Sequence, residues 1–246
     1  VRQFAKYLVG TGKSAYIIPS GIPRKQIRYD AHIFTEAELK AFFTSIDACK
    51  KSHFSPLRYY VIPVIFRLIY TCGLRASEAR LLRTDDIDLS TGKIFILEYK
   101  GWEARIVFVS DDMLDLLCRY DRIIRDTYPD RTAFFPNQSG DYYSKSTLDE
   151  WFHELWDKLP EAAVTKGNPP RVHDFRHSYC VYRLNQWVRE HADLNALYPY
   201  LSEFMGHSNF ADTDYYLTLA EPFYSEFESR MYSVNASILP EVPHED

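Results

Sequence analysis

Residues 93–109, KIFILEYKGWEARIVFV, contain two runs rich in β-branched and aromatic residues on either side of a short polar segment. The runs at 93–98 and 104–109 predict two strands joined as a β-hairpin. This hairpin places Lys100 at its tip. The apolar run at 133–136, AFFP, predicts a third short strand.

Helical patterns surround the hairpin on both sides. Thr35 precedes an apolar-periodic segment and is followed three residues later by Glu38, a pairing that predicts a capping box at a helix start. Further helical spacing occurs at 57–72, 76–83, 111–127, 146–158, 174–189, 195–205 and 212–230. The predicted fold class is therefore α+β, mainly α: a helical domain with a small three-stranded antiparallel sheet.

The charge of the chain is unevenly distributed. The 246 residues carry a formal net charge of −5, which alone gives no indication of a nucleic-acid partner. Residues 1–29 nevertheless contain basic side chains and no acidic ones, whereas the stretch from Glu221 onward is acidic. This asymmetry fits a protein that presents only part of its surface to DNA.

The four cysteines are widely separated and show no C-x-x-C spacing. This argues against a zinc site or a disulfide framework and favours a reducing cytoplasm. The longest apolar run, near residues 59–72, is interrupted by Pro63 and Arg67. It is too short for a membrane span and predicts a buried helix.

Four local patterns carry residues suited to chemistry on phosphate. They are Gly73-Leu74-Arg75-Ala76-Ser77-Glu78, Lys100-Gly101, His173-Asp174-Phe175-Arg176-His177, and Gly206-His207-Ser208 with Tyr216 nine residues after His207. Each alone is a weak signal, because a single Arg, His or Lys is commonly structural or solvated. Together they match the needs of metal-free phosphoryl transfer. Arginines hold phosphate oxygens bidentately, histidines move protons, and a tyrosine forms a covalent intermediate.

The combined pattern resembles the tyrosine recombinase (phage integrase) family over about residues 34–223. The resemblance implies a 3′-phosphotyrosyl intermediate without metal, ATP or another cofactor. It also assigns roles to individual residues. These are Arg75 and Arg176 as the phosphate clamp, Glu78 as support for Arg75, Lys100 as general acid and Tyr216 as nucleophile. His173 and His207 are implied as catalytic histidines that donate to the phosphate or take the attacking proton, and His177 is structural.

Three features depart from the family pattern or complicate it. The turn usually reads K-G-x-K-x-R, whereas Glu103 stands at the second basic position. The interval between Arg176 and His207 is long, so we expect an enlarged helix or loop there. Tyr215 adjoins Tyr216, but the spacing from His207 favours Tyr216. Neighbours about 100° apart on a helix do not both face one phosphate.

The resemblance also suggests a domain plan. Residues 1–9 resemble the last helix of a core-binding domain, 10–30 form a linker, 31–230 the catalytic domain, and 231–246 a C-terminal tail exchanged between subunits or left disordered. We expect the linker side chains Arg24, Lys25 and Arg28 to contact the DNA backbone. The implied partners are double-stranded DNA and further copies of the protein, as a tetramer on DNA.

The leading hypothesis is thus a site-specific DNA recombinase of a mobile element. A type IB topoisomerase-like enzyme shares the same chemistry and is the first alternative. The second is a DNA-binding fragment with impaired catalysis, against which the complete set of six candidate catalytic residues argues.

Overall fold

The computed structural model describes residues 2–17, 19, 30–51, 53, 55–97, 104–165, 168–207, 210–217 and 219. The chain forms two compact units, residues 1–30 and 31–246. In the first unit, helix α1 spans Arg2–Gly10. Of the predicted 10–30 linker, residues 18 and 20–29 lie outside the described ranges, and with them Arg24, Lys25 and Arg28.

The second unit is mainly helical, as predicted. Its helices are α2 (Glu36–Asp47), α3 (Arg58–Cys72), α4 (Ala76–Arg80), α5 (Asp111–Thr127), α6 (Lys145–Trp156), α7 (Pro160–Val164), α8 (Val172–Arg189), α9 (Leu194–Met205) and α10 (Phe210–Leu217). The capping box of Thr35 and Glu38 is present at the start of α2. No helix among the described residues combines the length and apolarity needed to cross a membrane.

A small antiparallel sheet contains β1 (Ile87–Asp88), β2 (Lys93–Ile96) and β3 (Arg105–Phe108) in the order β1-β2-β3. The predicted hairpin is confirmed, with Ile94 opposite Val107, while residues 98–103 and therefore Lys100 lie outside the described ranges. The predicted third strand at 133–136 is wrong. Ala133 and Pro136 form only isolated bridges, and the third strand is β1, which precedes the hairpin.

The core lies around α3, which is buried along most of its length despite Pro63. Aromatic side chains from several helices and from the segment before α2 converge on Phe175 of α8. The Phe34 ring stacks on it with centroids 4.6 Å apart, and Phe42 and Phe152 lie at 5.2 and 5.6 Å. Burial of these large rings fixes α8 firmly. Phe175 directly precedes Arg176, so this core also sets the position of the next side chain in the sequence.

Candidate active site

The junction of α3 and α4 orients Arg75. Gly73 ends α3 in the left-handed conformation with φ of 59°, and an added Cβ would lie 2.7 Å from the Tyr179 ring. The position therefore requires glycine. Arg75 then begins α4, where its backbone N–H donates to Glu78 Oε2 at 2.8 Å and its Nη1 donates to Glu78 Oε1 at 2.7 Å. One carboxylate thus holds both the backbone and the guanidinium of Arg75.

Arg105 of β3 is the second cation on Glu78, and it was not among the residues predicted from the sequence. Its Nη1 and Nη2 donate to the two carboxylate oxygens, each at 2.8 Å, in a bidentate pair. Its Nε donates to the Phe204 carbonyl at 2.7 Å. Arg105 therefore connects the hairpin strand to α4 and to α9. The available signal was the final arginine of the K-G-x-K-x-R pattern, which Arg105 matches.

The environment of Glu78 favours the ionised carboxylate. Burial would raise its pKa, but hydrogen bonds and charge from Arg105, together with Arg176 and the Arg75 backbone N–H, lower the pKa to about 2. At neutral pH Glu78 is an anion between guanidinium groups. Its charge offsets part of the cost of burying them.

We expect the Glu78→Gln variant to reveal this pKa shift in how the free energy of unfolding depends on pH in the acidic range. A carboxylate with a lowered folded pKa stabilises the fold above its unfolded pKa, and loses that contribution as the pH falls toward the folded value. Wild-type protein should therefore lose about 3 kcal/mol between pH 4.5 and pH 2 that Glu78→Gln does not lose. Urea unfolding across this range measures the difference. The exposed Glu150→Gln control should behave as wild type, and an identical slope for Glu78→Gln would contradict the assignment.

Arg176 is fully buried on α8 and joins the ends of two other helices. Its Nη1 donates to the Gly73 carbonyl at 2.7 Å, and its Nη2 donates to the Met205 carbonyl. Carbonyls at helix C-termini lack intrahelical donors and lie at the negative end of the helix dipole, so they suit a guanidinium. Arg75 makes a related contact, since its Nη2 donates to the Gly206 carbonyl at 2.7 Å. Both predicted phosphate-clamp arginines are thereby held against the same helix end.

His207 follows a second glycine that the packing requires. Gly206 has φ of 63°, and an added Cβ would lie 2.7 Å from Arg105 Nη1. The His207 ring stacks on the Tyr216 ring, with centroids 5.7 Å apart and planes 10° from parallel. Burial and the nearby charges of Arg176, Arg75 and Arg105 lower the pKa of His207 to about 3. The imidazole is therefore neutral at physiological pH.

The two adjacent tyrosines of α10 have different environments. Tyr216 is 3% exposed. Burial raises its pKa to about 12, although the charge of Arg176 acts in the opposite direction. Its phenol is therefore protonated at neutral pH. The Tyr215 hydroxyl instead accepts from the Ala31 backbone N–H at 3.3 Å.

The two histidines of α8 lie one helical turn apart. His173 is exposed, and its ring contacts the His177 ring at a centroid distance of 4.7 Å. His177 lies deeper, 5.3 Å from the Tyr216 ring, and burial together with His173 and Arg176 lowers its pKa to about 3. His173 also borders an open cleft that contains Arg75.

The structure thus brings Arg75, His173, Arg176, His207 and Tyr216 around one site, and Glu78 pairs with Arg75 and Arg105. Lys100 lies outside the described ranges. Within those ranges, the His, Cys, Asp and Glu side chains form no group of three that could hold a metal ion. The long interval from Arg176 to His207 contains the rest of α8 and the whole of α9.

Comparisons with known proteins place this site in a family context. The profile of the phage integrase family matches residues 33–221. The putative integrase/recombinase y4rE of Sinorhizobium fredii is 32% identical over 222 residues, which cover 89% of this chain and 70% of the relative.

Solved structures show the same fold. XerH site-specific recombinase bound to palindromic difH substrate, in a post-cleavage complex, matches with a TM-score of 0.64 at 23% identity, covering 89% of this chain and 60% of that chain. The Tn1549 transposon integrase in complex with transposon right end DNA matches with a TM-score of 0.62 at 16% identity, covering 93% of this chain and 75% of that chain.

Proposed function

The chain belongs to the phage integrase family of tyrosine recombinases, and on that premise we propose that it cleaves and rejoins double-stranded DNA at specific sites through Tyr216. The observation that carries the proposal is the convergence of Arg75 and Arg176 with a buried tyrosine and a neutral histidine. Donors fixed before the reaction stabilise charge that develops on a phosphate in the transition state.

The proposed roles follow from chemistry and geometry. Arg75 and Arg176 hold the non-bridging phosphate oxygens. His173, at the border of the cleft that contains Arg75, donates to the phosphate. His207 lies against the nucleophile Tyr216. Glu78 and Arg105 keep the clamp in place. Lys100 is proposed as the general acid for the departing 5′ oxygen on the strength of its motif position.

The cleft beside Arg75 supports an extended anionic substrate. It has a volume of about 370 Å³, and its described lining includes Arg80, Lys145, Arg171 and His173, with Asp149 as the acidic member. Such a cleft fits the phosphates that flank the scissile one. Phosphate contacts of this type position DNA without reading its sequence.

The function is tested by trapping its covalent intermediate. A full-length protein incubated with a duplex carrying a nick beside the cleavage position loses the short leaving fragment, so religation fails and a covalent protein–DNA adduct accumulates. We expect a denaturation-resistant adduct in the absence of added metal or ATP. No adduct on duplexes that the protein binds specifically would contradict the proposal and support the impaired-fragment alternative.

The Lys145→Ala variant tests the cleft. Each phosphate contact neutralised by a lysine adds about 0.9 to the slope of log affinity against log salt concentration. We expect Lys145→Ala to weaken duplex binding and to reduce that slope by about 1. Fluorescence anisotropy over a salt series measures both quantities. Lys40→Ala, an exposed lysine of α2 outside the cleft lining, should leave the slope unchanged. Equal slopes for Lys145→Ala and wild type would show that Lys145 does not contact a DNA phosphate.

The proposal also covers how many copies of the protein act together and where in the cell they act. Recombination exchanges strands between two duplexes, so we propose four copies on DNA, with residues 231–246 passing between neighbours. Arg24, Lys25 and Arg28 would follow the DNA backbone from the linker. The four cysteines are free thiols in the structure, which fits a reducing cytoplasm as the site of action.

A further inference from the structure

Three successive backbone carbonyls at the end of α9 each accept a hydrogen bond from a different arginine. Carbonyls at a helix C-terminus lack intrahelical donors and lie at the negative end of the helix dipole, so they attract guanidinium groups. The pairs are Arg105 Nε with Phe204 at 2.7 Å, Arg176 Nη2 with Met205, and Arg75 Nη2 with Gly206 at 2.7 Å. Strand β3, α8 and α4 therefore meet at one helix end, although only Arg75 and Arg176 are assigned to the phosphate.

Arg105 lies at the base of the β-hairpin. It forms with Ile96 the last pair in the register of β2 and β3 before residues 97–104, which connect the two strands. The Arg105 side chain is 5% exposed, whereas the next residue, Ile106, lies on the open face of the sheet. Lys100, which is outside the described ranges, precedes Arg105 by five positions in the chain. Arg105 is therefore the anchored residue of β3 that is nearest to Lys100 in sequence.

One carboxylate connects the base of the hairpin to the phosphate clamp. Glu78 accepts from both terminal nitrogens of Arg105 at 2.8 Å and from Arg75 Nη1 at 2.7 Å. Together with the hydrogen bond from Nε to the Phe204 carbonyl, three donors of one planar guanidinium are fixed in direction. This arrangement leaves Arg105 little freedom to shift relative to α4 or α9, so it sets the distance from the base of the hairpin to Arg75.

The clamp arginines have contacts of their own. Arg75 donates to Glu78 and to the Gly206 carbonyl, and Arg176 donates to two helix-end carbonyls. These four hydrogen bonds do not involve Arg105. A lysine at position 105 would keep a positive charge beside Glu78 but could not present three donors in one plane. Arg105→Lys should therefore loosen the attachment of the hairpin and leave the contacts of the clamp in place.

We propose that Arg105 is a positioning residue for the leaving-group side of the reaction: by fixing the base of the hairpin to Glu78 and to the end of α9, it holds the general acid Lys100 in register with the scissile phosphate. The inference rests on the proposed function and goes beyond support of the clamp. When the bond from phosphorus to the 5′ oxygen breaks, the electron pair remains on that oxygen, which takes a proton from the Lys100 ammonium. Misplacing a reacting group by about 1 Å can slow a reaction about 100-fold.

The experiment measures single-turnover cleavage by the full-length protein on two nicked duplexes. One has an ordinary phosphate at the cleavage position, and the other has sulfur in place of the bridging 5′ oxygen. A thiolate leaves without protonation, because a thiol is far more acidic than an alcohol. We expect Arg105→Lys to cleave the ordinary duplex about 100-fold more slowly than wild type, and the sulfur duplex within a few-fold of wild type. Both rates come from one preparation, so a smaller folded fraction lowers them equally and does not change their ratio.

Three other variants serve as controls. Lys100→Ala should show the same rescue by sulfur, since it removes the general acid itself. Arg75→Lys should remain slow on both duplexes, because sulfur in the leaving group does not replace a donor to the non-bridging oxygens. Arg119→Lys, at an exposed arginine of α5, makes the same substitution outside the site and should behave as wild type on both.

Four results would overturn the inference. An Arg105→Lys defect of equal size on both duplexes would show that Arg105 does not act on the leaving-group side, and wild-type cleavage of the ordinary duplex by this variant would show that it is not needed. Rescue of Arg75→Lys would show that sulfur hides any defect. Failure of sulfur to rescue Lys100→Ala would exclude Lys100 as the general acid, and the inference with it, while a covalent adduct on Tyr216 in the same samples would leave DNA cleavage and rejoining as the proposed function.

Discussion

Replacing Tyr216 with phenylalanine is expected to abolish the covalent DNA adduct while DNA binding persists. The substitution removes only the oxygen that would attack phosphorus, and an aromatic ring remains to stack on His207. Denaturing electrophoresis of trapped complexes measures the adduct, and anisotropy measures binding.

Tyr215→Phe is the matched control, because it makes the same chemical change one residue away. The Tyr215 hydroxyl accepts from the Ala31 backbone N–H, so its loss affects the attachment of α10 and not the phosphate site. We expect the adduct to form normally in this variant. Peptide mapping of the wild-type adduct should place the modified residue at Tyr216. A phosphotyrosyl bond on Tyr215 would show that the spacing argument is wrong.

The helical part of the fold was predictable because its signals are local. The pattern at 111–127 coincides with α5 (Asp111–Thr127), and the capping box at Thr35 marks the start of α2. The third strand was not predictable from its own composition. The AFFP segment at 133–136 is as apolar as a strand, but Phe134 and Phe135 pack into the core instead of pairing in the sheet. The short β1 pairs with β2 across the turn at 89–92, but its two residues are too few to show a strand pattern in the sequence.

The candidate site was partly predictable for a similar reason. Arg75, Arg176, His207 and Tyr216 occur in short motifs, and the structure gathers their side chains. The ion pair between Arg105 and Glu78 joins residues that are 27 positions apart, and Thr213 reaches His207 only because α10 follows α9 closely. Contacts of this kind depend on how helices pack, so motif spacing does not reveal them. The glycines Gly73 and Gly206 matter beyond their motifs, since each leaves space for a neighbouring side chain.

Arg75→Lys and Arg176→Lys are expected to slow strand cleavage by about 10²–10³-fold or more, the cost of losing a fixed donor to developing transition-state charge. Both variants keep a positive charge, so the loss reports geometry. A lysine ammonium is a compact point charge and lacks the planar fork of a guanidinium. At position 176 it could not span the Gly73 and Met205 carbonyls while still presenting donors to a phosphate.

A loss of stability must be distinguished from a loss of catalysis in these variants. The two arginines allow this because they differ in burial. Arg176 is fully buried, so Arg176→Lys should also lower the melting temperature by leaving a helix-end carbonyl without its donor. Arg75 keeps 12% of its side chain exposed, and Glu78 can still pair with a lysine there, so Arg75→Lys should remain closer to wild-type stability. Arg67→Lys makes the same arginine-to-lysine substitution outside the site, at a residue paired with Asp47, and serves as the control. Single-turnover cleavage on saturating nicked duplex gives the rates. Near-wild-type cleavage by a folded Arg75→Lys protein would exclude bidentate clamping by Arg75, because charge alone would then suffice at that position.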